Sequence, residues 1–375
     1  MPTSTGVPIS NIKNVTDNTL KKYEKRRWIS LVPNYTKYVG YILYDSGMKY
    51  AKEITGNMPM QWQVQVAGIN NTVAIGAYSQ IALGDNTISA TAQVEARNII
   101  THFTMDILEK RAQQGGLMLI DLIDEKYNAM MESHVERVEG YIWGCPAQSD
   151  ALTPYGFPTW IVKYADADAT PTAGGFLGTL PYGSDSAVYT SAPNGLSPSL
   201  YSRAGNWAAK YSAVSFDDFV LKLTTACDKT NFQAPSPYAQ LVKDEPDSND
   251  TLSRAAYFNL DVKQGLNKLA RLQNSDNATG DLAWFDGRTK IRGREGVYVP
   301  FLDADTSDPC YLINHDACPF LKDPAHQGGA ITNGLERVSV EQPTTLAKVY
   351  MWIMGTAGIR RDQLAVLSTK SKQGN

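Results

Sequence analysis

Alternation of apolar residues with glutamines marks the most distinctive stretch of the chain. From residue 61 the period is two, which predicts a half-buried strand with Trp62 and Val64 on its apolar face. A second extended arm over 88–100 predicts that the chain returns beside the first, with a tip near 77–80. A two-stranded ribbon of this length is unstable alone in water, so we expect it to lie on another surface.

A charged helical pattern follows the ribbon. Between residues 120 and 142, apolar residues recur at steps of three and four, and acidic residues fill the other faces. We predict one helix over 117–142, roughly 39 Å long at 1.5 Å per residue. Gly144 and Pro146 end it, because neither residue type continues a helix well.

The remainder predicts short elements and no internal repeat, which gives a mixed α+β fold. Ser215 is the predicted N-cap of a helix over 215–230, because it precedes two acidic residues. The other predicted elements are a helix pattern over 253–272, strands over 238–242, 297–301 and 311–314, and a hairpin that pairs 345–354 with 358–367 around Gly355.

Composition indicates a globular chain with an unusually neutral surface. Of its 375 residues, 43% are hydrophobic and 19% are charged, with a net charge of −3. Neutral surface of this kind tends to be covered by partners. The first residues show no secretory signal pattern, no apolar run approaches the roughly 18 residues of a membrane span, and four scattered cysteines are too few for a disulfide scaffold. We expect a soluble protein of a reducing cytoplasm.

Charge is distributed unevenly along the chain. Residues 1–55 carry nine Lys and Arg against four Asp and Glu, so the remaining residues have a net charge of −8. The dense basic patch at 21–27 includes Lys25, Arg26 and Arg27. It is either a solvated helix face or a contact with an acidic neighbour or nucleic acid.

Two segments carry residue types that bind metals. Cys310, His315 and Cys318 lack the C-x2–4-C pairs of tight zinc sites, so we interpret them as buried cysteines beside an incidental histidine. Asp303 and Asp308 belong to an acidic run, with Asp305 between them, that lacks the glycine and glutamate of a calcium-binding loop. We interpret this run as a solvated acidic loop.

Catalytic patterns are weak. The glycines at 174–178 lack the Lys-Ser/Thr of a phosphate-binding loop. Four histidines, with no Gly-x-Ser-x-Gly, leave little from which to build a nucleophile and its base. His134 falls on the apolar stripe of the predicted long helix, and we interpret it as a packed core residue. No catalytic residue, metal or cofactor is predicted.

The order of these features is itself recognisable. From about Thr55 to Leu367 the chain resembles the major capsid protein of tailed bacteriophages, with its Hong Kong 97-type fold. No single motif is specific, but the collinear series is. The series comprises the hairpin tip at 76–84, the helix entry at 101–126, Tyr141-Ile-Trp-Gly, Asn206-Trp207 before Phe216-Asp-Asp-Phe219, Phe285-Asp-Gly-Arg, Leu302-Asp-Ala-Asp, Tyr311-Leu-Ile-Asn and Arg360-Arg361-Asp-Gln.

The resemblance implies a domain order and a set of contacts. The implied segments are an N-terminal arm (1–55), an extended β-hairpin loop (56–104), a peripheral domain with the spine helix (105–145), an axial domain (146–320) and the return strands of the peripheral domain (321–375). The residues expected at intersubunit contacts are Trp62, Tyr78, Gln80, Lys25, Arg26 and Arg27.

The resemblance also implies partners and a location. Subunits of this family form pentamers and hexamers of an icosahedral shell around double-stranded DNA, which they contact without sequence specificity. A portal protein, and a separate scaffolding protein in place of a cleaved internal one, are the expected partners, and no membrane is involved. The expected location is the virion, after assembly in the host cytoplasm.

Two alternatives remain open from the sequence. An encapsulin-like nanocompartment shell would share the fold but enclose an enzyme cargo instead of DNA. A cytoplasmic hydrolase of mixed α+β type would be a monomer or small oligomer with a perturbed site residue.

Overall fold

The computed structural model describes most of the chain after residue 50. The described ranges are 51–54, 59–65, 89–107, 116–164, 175–178, 180–184, 187–201, 204–231, 254–272, 282–285, 288–291, 294–332, 335–337 and 344–369.

These residues form 17 strands and four α-helices. The strands are β1 (Ala51–Glu53), β2 (Met60–Gln65), β3 (Ser89–Val94), β4 (Arg97–Asp106), β5 (Phe176–Leu177), β6 (Gly183–Ser184), β7 (Ala187–Val188), β8 (Trp207–Lys210), β9 (Arg254–Phe258), β10 (Leu282–Phe285), β11 (Arg288–Ile291), β12 (Arg294–Tyr298), β13 (Cys310–Asn314), β14 (Phe320–Ala330), β15 (Glu336–Arg337), β16 (Thr345–Thr356) and β17 (Ala365–Ser368). The helices are α1 (Gly116–Ile142), α2 (Phe157–Trp160), α3 (Leu221–Asn231) and α4 (Leu260–Leu272). A π-helical turn (Phe216–Val220) precedes α3, and 3₁₀ turns cover Pro300–Ala304 and Arg361–Gln363.

Two sheets and two small ribbons organise the strands. One sheet has the order β1-β14-β16-β15, with β4 also paired to β16. The larger sheet has eight strands in the order β10-β11-β12-β9-β13-β17-β8-β5 and mixes parallel and antiparallel pairs. The ribbons are β2-β3 and β6-β7. Helices and mixed sheets in one chain are consistent with the predicted α+β class.

The chain divides into two compact units, each built from separate stretches of sequence. Unit 1 comprises 1–38, 98–138 and 325–353, and unit 2 comprises 39–97, 139–324 and 354–375. The five segments predicted from the resemblance stay a prediction.

Within unit 1, the apolar stripe of α1 packs on aromatic residues of β16. His134 is 1% exposed, and its ring stacks on Trp352 with 3.8 Å between ring centroids. Its Nδ1 lies 3.1 Å from the Thr101 hydroxyl of β4, and Tyr127 packs against Tyr350 one to two turns earlier on α1. His134 is therefore a packed core residue, as its place on the stripe predicts.

Within unit 2, the central strands of the larger sheet are buried on both faces. Every residue of β13 and β17 is buried, which explains why both strands have nearly continuous apolar sequences. One face packs on α3 and α4 through residues such as Leu223 and Leu266, both with no exposed surface. The other face carries an aromatic cluster. The cluster comprises Trp143, Phe157, Tyr257, Tyr311, His315 and Phe320.

His315 occupies the interior of this cluster as a neutral ring. It has no exposed surface, and its Nε2 lies 2.7 Å from the Tyr257 hydroxyl. Burial lowers the pKa of His315 to about 3, because a charged imidazole would lose its hydration among aromatic rings.

A buried arginine is hydrogen-bonded to loops of unit 2 that are far apart in the sequence. Arg361 is 2% exposed, and its guanidinium stacks on the Tyr182 ring at 3.9 Å from the ring centroid. Among the described residues, the guanidinium donates hydrogen bonds to main-chain carbonyls and one side-chain amide, and to no carboxylate. The acceptors are the carbonyls of Trp160, Leu180, Pro181 and Ala204 and the Asn206 Oδ1, at 2.6–3.2 Å. Burial lowers the pKa of Arg361, and Tyr182 opposes part of that shift.

Several predicted elements are confirmed. The helix predicted over 117–142 is α1, and the strand predicted over 311–314 is β13. Ser215 caps the helix predicted over 215–230, because its hydroxyl accepts the Asp218 amide at 3.3 Å. The first turn of that helix is π-helical, with the Val220 amide donating to the Ser215 carbonyl.

Other predictions are wrong in part. The helix predicted over 253–272 begins only at Leu260, since β9 (Arg254–Phe258) is a central strand between β12 and β13 and tertiary pairing overrides local helix propensity. The arm predicted over 88–100 breaks after Val94, where pairing with β2 ends and β4 begins. The strand predicted over 297–301 stops at Tyr298 and continues as a 3₁₀ turn. The strand predicted over 238–242 lies outside the described residues.

The predicted C-terminal hairpin is also wrong. β16 continues through Gly355 to Thr356 and pairs with β14, β15 and β4, whereas β17 lies between β13 and β8 in the larger sheet. The glycine is therefore a strand residue. A Cβ atom there would meet the Ala96 backbone at 3.6 Å, an ordinary van der Waals distance, so neither a turn nor a close approach requires glycine at this position.

Replacement of Arg361 by methionine is predicted to destabilise unit 2 by about 3–5 kcal/mol, because several buried acceptors lose their donors at once. The measurement is the free energy of unfolding from urea denaturation of the dissociated chain. The matched control is Arg360→Met, since Arg360 is half exposed and its ion pair with Asp362 at 3.0 Å is worth about 0–1 kcal/mol. Equal effects at the two neighbouring arginines would contradict the role of Arg361.

A pH dependence follows from His315. In the unfolded chain His315 is protonated below about pH 6.5, whereas in the folded chain it is protonated only below about pH 3. Between these values the unfolded state binds one more proton, so the free energy of unfolding decreases as the pH falls. His315→Gln, which cannot titrate, is therefore expected to flatten the acid loss of stability by up to about 1.4 kcal/mol per pH unit. The same change at the exposed His102 is the control. Parallel pH profiles for the original chain and His315→Gln would contradict the prediction.

Candidate functional site

The structure contains the base of the ribbon that the sequence predicts from residue 61, and the predicted tip near 77–80 lies outside the described residues. β2 and β3 pair antiparallel, with Trp62 opposite Ala92 and Val64 opposite Ala90. Ala92 has no exposed surface, and Trp62 and Val64 are half buried, so this face is packed against other residues of unit 2.

The opposite face of the ribbon is polar and carries no charge. Gln61 lies opposite Gln93, and the Nε2 of the first donates to the Oε1 of the second at 3.3 Å. Both strands consist only of neutral residues, MQWQVQ and SATAQV. The alternation in the sequence therefore correctly separates an inner apolar face from an outer amide-rich face.

A cavity of about 390 Å³ lies beside the ribbon. The described lining residues are Trp62, Gln63, Val64, Tyr182, Asn194, Leu196, Tyr201, Ala204, Gly358, Ile359, Arg360, Arg361 and Asp362. The turn that carries Arg361 lines the cavity, and the hydrogen bonds of Arg361 fix the position of that turn. The buried arginine therefore contributes to the wall of the cavity as well as to the core. The indole Nε1 of Trp62 is buried and has no hydrogen-bond partner among the described residues.

The residues predicted at intersubunit contacts are placed unequally. Trp62 lies at the base of the ribbon and lines the cavity. Tyr78, Gln80, Lys25, Arg26 and Arg27 lie outside the described residues. Sequence reasoning missed the structural role of Arg361, which appeared only as part of the Arg360-Arg361-Asp-Gln motif of the resemblance.

The acidic run at 303–308 is partly solvated, as the sequence predicts, since Asp303 is exposed and Asp305 and Asp308 are half buried, but it is also hydrogen-bonded to its surroundings. Each carboxylate accepts hydrogen bonds from groups elsewhere in unit 2 and fixes the loop to them. The donors are the Leu260 amide and Tyr298 hydroxyl for Asp303, the Lys163 ammonium for Asp305 and the Asn259 side-chain amide for Asp308. Burial opposes ionisation of Asp305, but Lys163 and Ser307 outweigh it and hold the pKa of that carboxyl below its usual value. These contacts make the run part of the framework.

The candidate zinc residues form a packed interior. Cys310 and Cys318 have no exposed surface, as the sequence interpretation predicts, and burial raises the pKa of both thiols. A buried thiol of raised pKa is a poor nucleophile and a poor metal ligand, because both roles require the thiolate. Within the described ranges, no cluster of three or more His, Cys, Asp or Glu side chains is arranged to hold a metal ion.

Among the described residues, no helix combines the length and the apolar character needed to cross a membrane.

Comparison with known proteins identifies the fold. No protein-family model matches the chain, and a search of curated proteins finds no match. Among solved structures, the capsid of cyanophage A-1(L) matches with a TM-score of 0.53 and 13% identity, over 88% of this chain and 92% of that one.

Two further solved capsids match at lower similarity. The capsid of a native GTA particle gives a TM-score of 0.48 at 9% identity, over 85% of this chain and 88% of that one. The capsid of Myoviridae phage XM1 gives 0.45 at 6% identity, over 84% and 89%. The match to the cyanophage capsid, which spans nearly the full length of both chains, shows the fold. The chain has the Hong Kong 97-like fold of phage capsid proteins, as the collinear motifs predict.

Proposed function

We propose that this chain is the major capsid protein of a tailed bacteriophage and that it acts as a structural subunit, not as an enzyme. Its copies assemble into pentamers and hexamers of an icosahedral shell that encloses double-stranded DNA. The observation that supports this most strongly is the shared fold with the cyanophage A-1(L) capsid over 88% of this chain. A portal protein and a separate scaffolding protein complete the proposed set of partners, and the virion is the proposed location.

The distribution of neutral surface supports assembly. The ribbon presents an uncharged outer face, and a two-stranded ribbon gains stability when another surface covers it. Permanent interfaces between subunits commonly bury more than about 2,000 Å² and are rich in apolar surface. The proposed contact residues are Trp62, Tyr78 and Gln80 on the ribbon and Lys25, Arg26 and Arg27 in the N-terminal arm.

The net negative charge of most of the chain supports a shell that does not bind its DNA tightly. Outside residues 1–55 the chain has a net charge of −8, which repels the phosphate backbone. DNA can then move during filling and release. The basic patch at 21–27 is the part of the chain suited to an acidic surface, either DNA or a neighbouring subunit.

The titratable groups of unit 2 support a structural role. Asp305 is paired with Lys163, His315 is neutral and buried, and the Cys310 and Cys318 thiols are protonated at neutral pH. Each of these groups is packed or paired within unit 2. A catalytic acid, base or nucleophile instead needs access to a substrate and a pKa near the working pH.

Sedimentation velocity of the purified full chain, alone and with a coexpressed scaffolding protein, is expected to show particles of many subunits. Neutral contact surfaces and obligate interfaces favour large assemblies over a monomer. Nuclease-protected DNA in particles from phage-infected cells separates a capsid from a nanocompartment, whose particles would hold a protein cargo. A monodisperse monomer under every condition would contradict the proposed function.

Reversal of charge at Lys25, Arg26 and Arg27 is expected to reduce assembly, because three like charges would then face the acidic body of a neighbour. The measurement is the assembled fraction at several salt concentrations, since screening weakens exposed charge contacts. The matched control reverses three dispersed basic residues of the same arm, Lys13, Lys37 and Lys49. Normal assembly with weaker DNA retention would place the patch against DNA instead.

A further inference from the structure

The cavity beside the ribbon has the size of a small-molecule site and lies within one unit. Its volume of about 390 Å³ falls within the roughly 300–1,000 Å³ that is typical of ligand pockets. All of its described lining residues belong to unit 2 of a single copy of the chain. The proposed structural role needs no ligand in this space.

Three aromatic side chains, those of Trp62, Tyr182 and Tyr201, form much of the cavity wall. Trp62 and Tyr201 are half buried, so part of each residue remains accessible. Tyr182 is 2% exposed and stacks on the guanidinium of Arg361. Aromatic walls of this kind favour a flat aromatic ligand, which packs on them in offset-stacked or edge-to-face arrangements.

The charged side chains of the lining leave one positive charge in excess. Among the described lining residues they are Arg360, Arg361 and Asp362. Arg360 and Asp362 form an ion pair at 3.0 Å. The charge in excess is therefore that of Arg361, whose hydrogen bonds within the described residues go to carbonyl oxygens and to no carboxylate.

Arg361 can act on a ligand only through its charge. Its five hydrogen bonds, one from Nε and two from each Nη, use all five N–H donors of the guanidinium. The charge itself is 98% removed from solvent by burial of the side chain, which is 2% exposed, so salt and water screen it weakly. A negative charge in the cavity would compensate it.

Two other groups of the lining offer hydrogen bonds to such a ligand. The indole Nε1 of Trp62 is buried with no partner among the described residues, and an acceptor atom beside the indole would supply one. The Arg360 side chain is 47% exposed. Asp362 accepts from its Nε and from one Nη, which leaves donors of the guanidinium for an anion.

The side-chain acceptors of the lining are already in use. The Asn194 Oδ1 accepts from the Tyr182 hydroxyl at 2.8 Å and from the Leu196 amide at 3.1 Å. The Asp362 carboxylate accepts from Arg360. A wall that offers donors and few open acceptors favours a ligand that carries acceptors, such as a carboxylate.

We propose that this cavity binds a small planar aromatic carboxylate. Its ring packs against Trp62 and Tyr201, and its carboxylate accepts from the Arg360 guanidinium and the Trp62 indole and compensates the charge of Arg361. Because every described lining residue belongs to one copy, binding does not depend on assembly of a shell.

Isothermal titration calorimetry of the dissociated full chain with 2-naphthoate tests the site. The matched ligand is 2-naphthamide, which has nearly the same shape but no charge. We expect 2-naphthoate to bind about 10-fold more tightly than 2-naphthamide, because only the anion gains the attraction of the excess positive charge. Equal affinities, or no binding of either compound up to its solubility limit, would overturn the proposal.

Arg360→Met places the binding in this cavity. Asp362 then balances the charge of Arg361, so the preference for 2-naphthoate over 2-naphthamide is expected to fall to about 2-fold or less. The control is Arg137→Met on α1 of unit 1, an exposed arginine outside the lining, which is expected to keep the full preference. Full preference in Arg360→Met would show that the anion binds elsewhere and would overturn the proposal.

Trp62→Phe keeps an aromatic ring and removes the indole donor. It is expected to weaken both compounds about 3- to 10-fold, because each carries an oxygen acceptor. The melting temperature of each variant without ligand shows whether it folds. If either variant melts early, the ratio of the two affinities in Arg360→Met decides, since a loss of folded chain weakens both compounds equally. Unchanged affinities in a folded Trp62→Phe would also overturn the proposal.

Discussion

Stabilisation of a buried cation, Arg361, by main-chain carbonyls and an aromatic ring is the constraint on which unit 2 depends. The Arg361 guanidinium can be buried only while carbonyl dipoles and the Tyr182 ring surround it, because an unpaired charge in the interior is very costly. Its acceptors lie in three separate stretches of chain, near residues 160, 180 and 205. Those stretches must therefore converge before the charge is stabilised. One side chain thus specifies how loops far apart in sequence meet.

The same arrangement explains why the ribbon has a defined base. The turn that carries Arg361 forms the floor of the cavity beside β2, and Tyr182, which stacks on the guanidinium, forms part of its wall. The sheet behind it is buried on both faces, and a partly solvated acidic run is hydrogen-bonded to its surroundings. The ribbon thus presents an uncharged outer face on a packed unit.

Periodic features were predictable from the sequence, and features that depend on distant contacts were not. The steps of three and four over 117–142 identify α1, and the alternation from residue 61 identifies both faces of the ribbon, because both patterns arise within one element. β9 is a strand since it has partners on both sides, which the local pattern at 254–258 cannot show. The C-terminal hairpin failed for a related reason. Gly355 indicated a turn, but it lies within a continuous strand, β16.

The contact site could be predicted only in outline. Trp62 was identified by its place on the apolar face, but the cavity beside it depends on residues 120 to 300 positions away. The burial of Arg361 was not predicted, because an arginine next to Asp362 in the sequence is typical of an exposed ion pair. It is Arg360 that makes this surface pair, while Arg361 turns inward. No local pattern distinguishes the two neighbours.

Negative-stain electron microscopy of the purified full chain, alone and with a candidate scaffolding protein, tests the central claim most directly. The account predicts closed shells, or rings of five and six subunits as their intermediates. A field of dispersed single molecules in both preparations would contradict it.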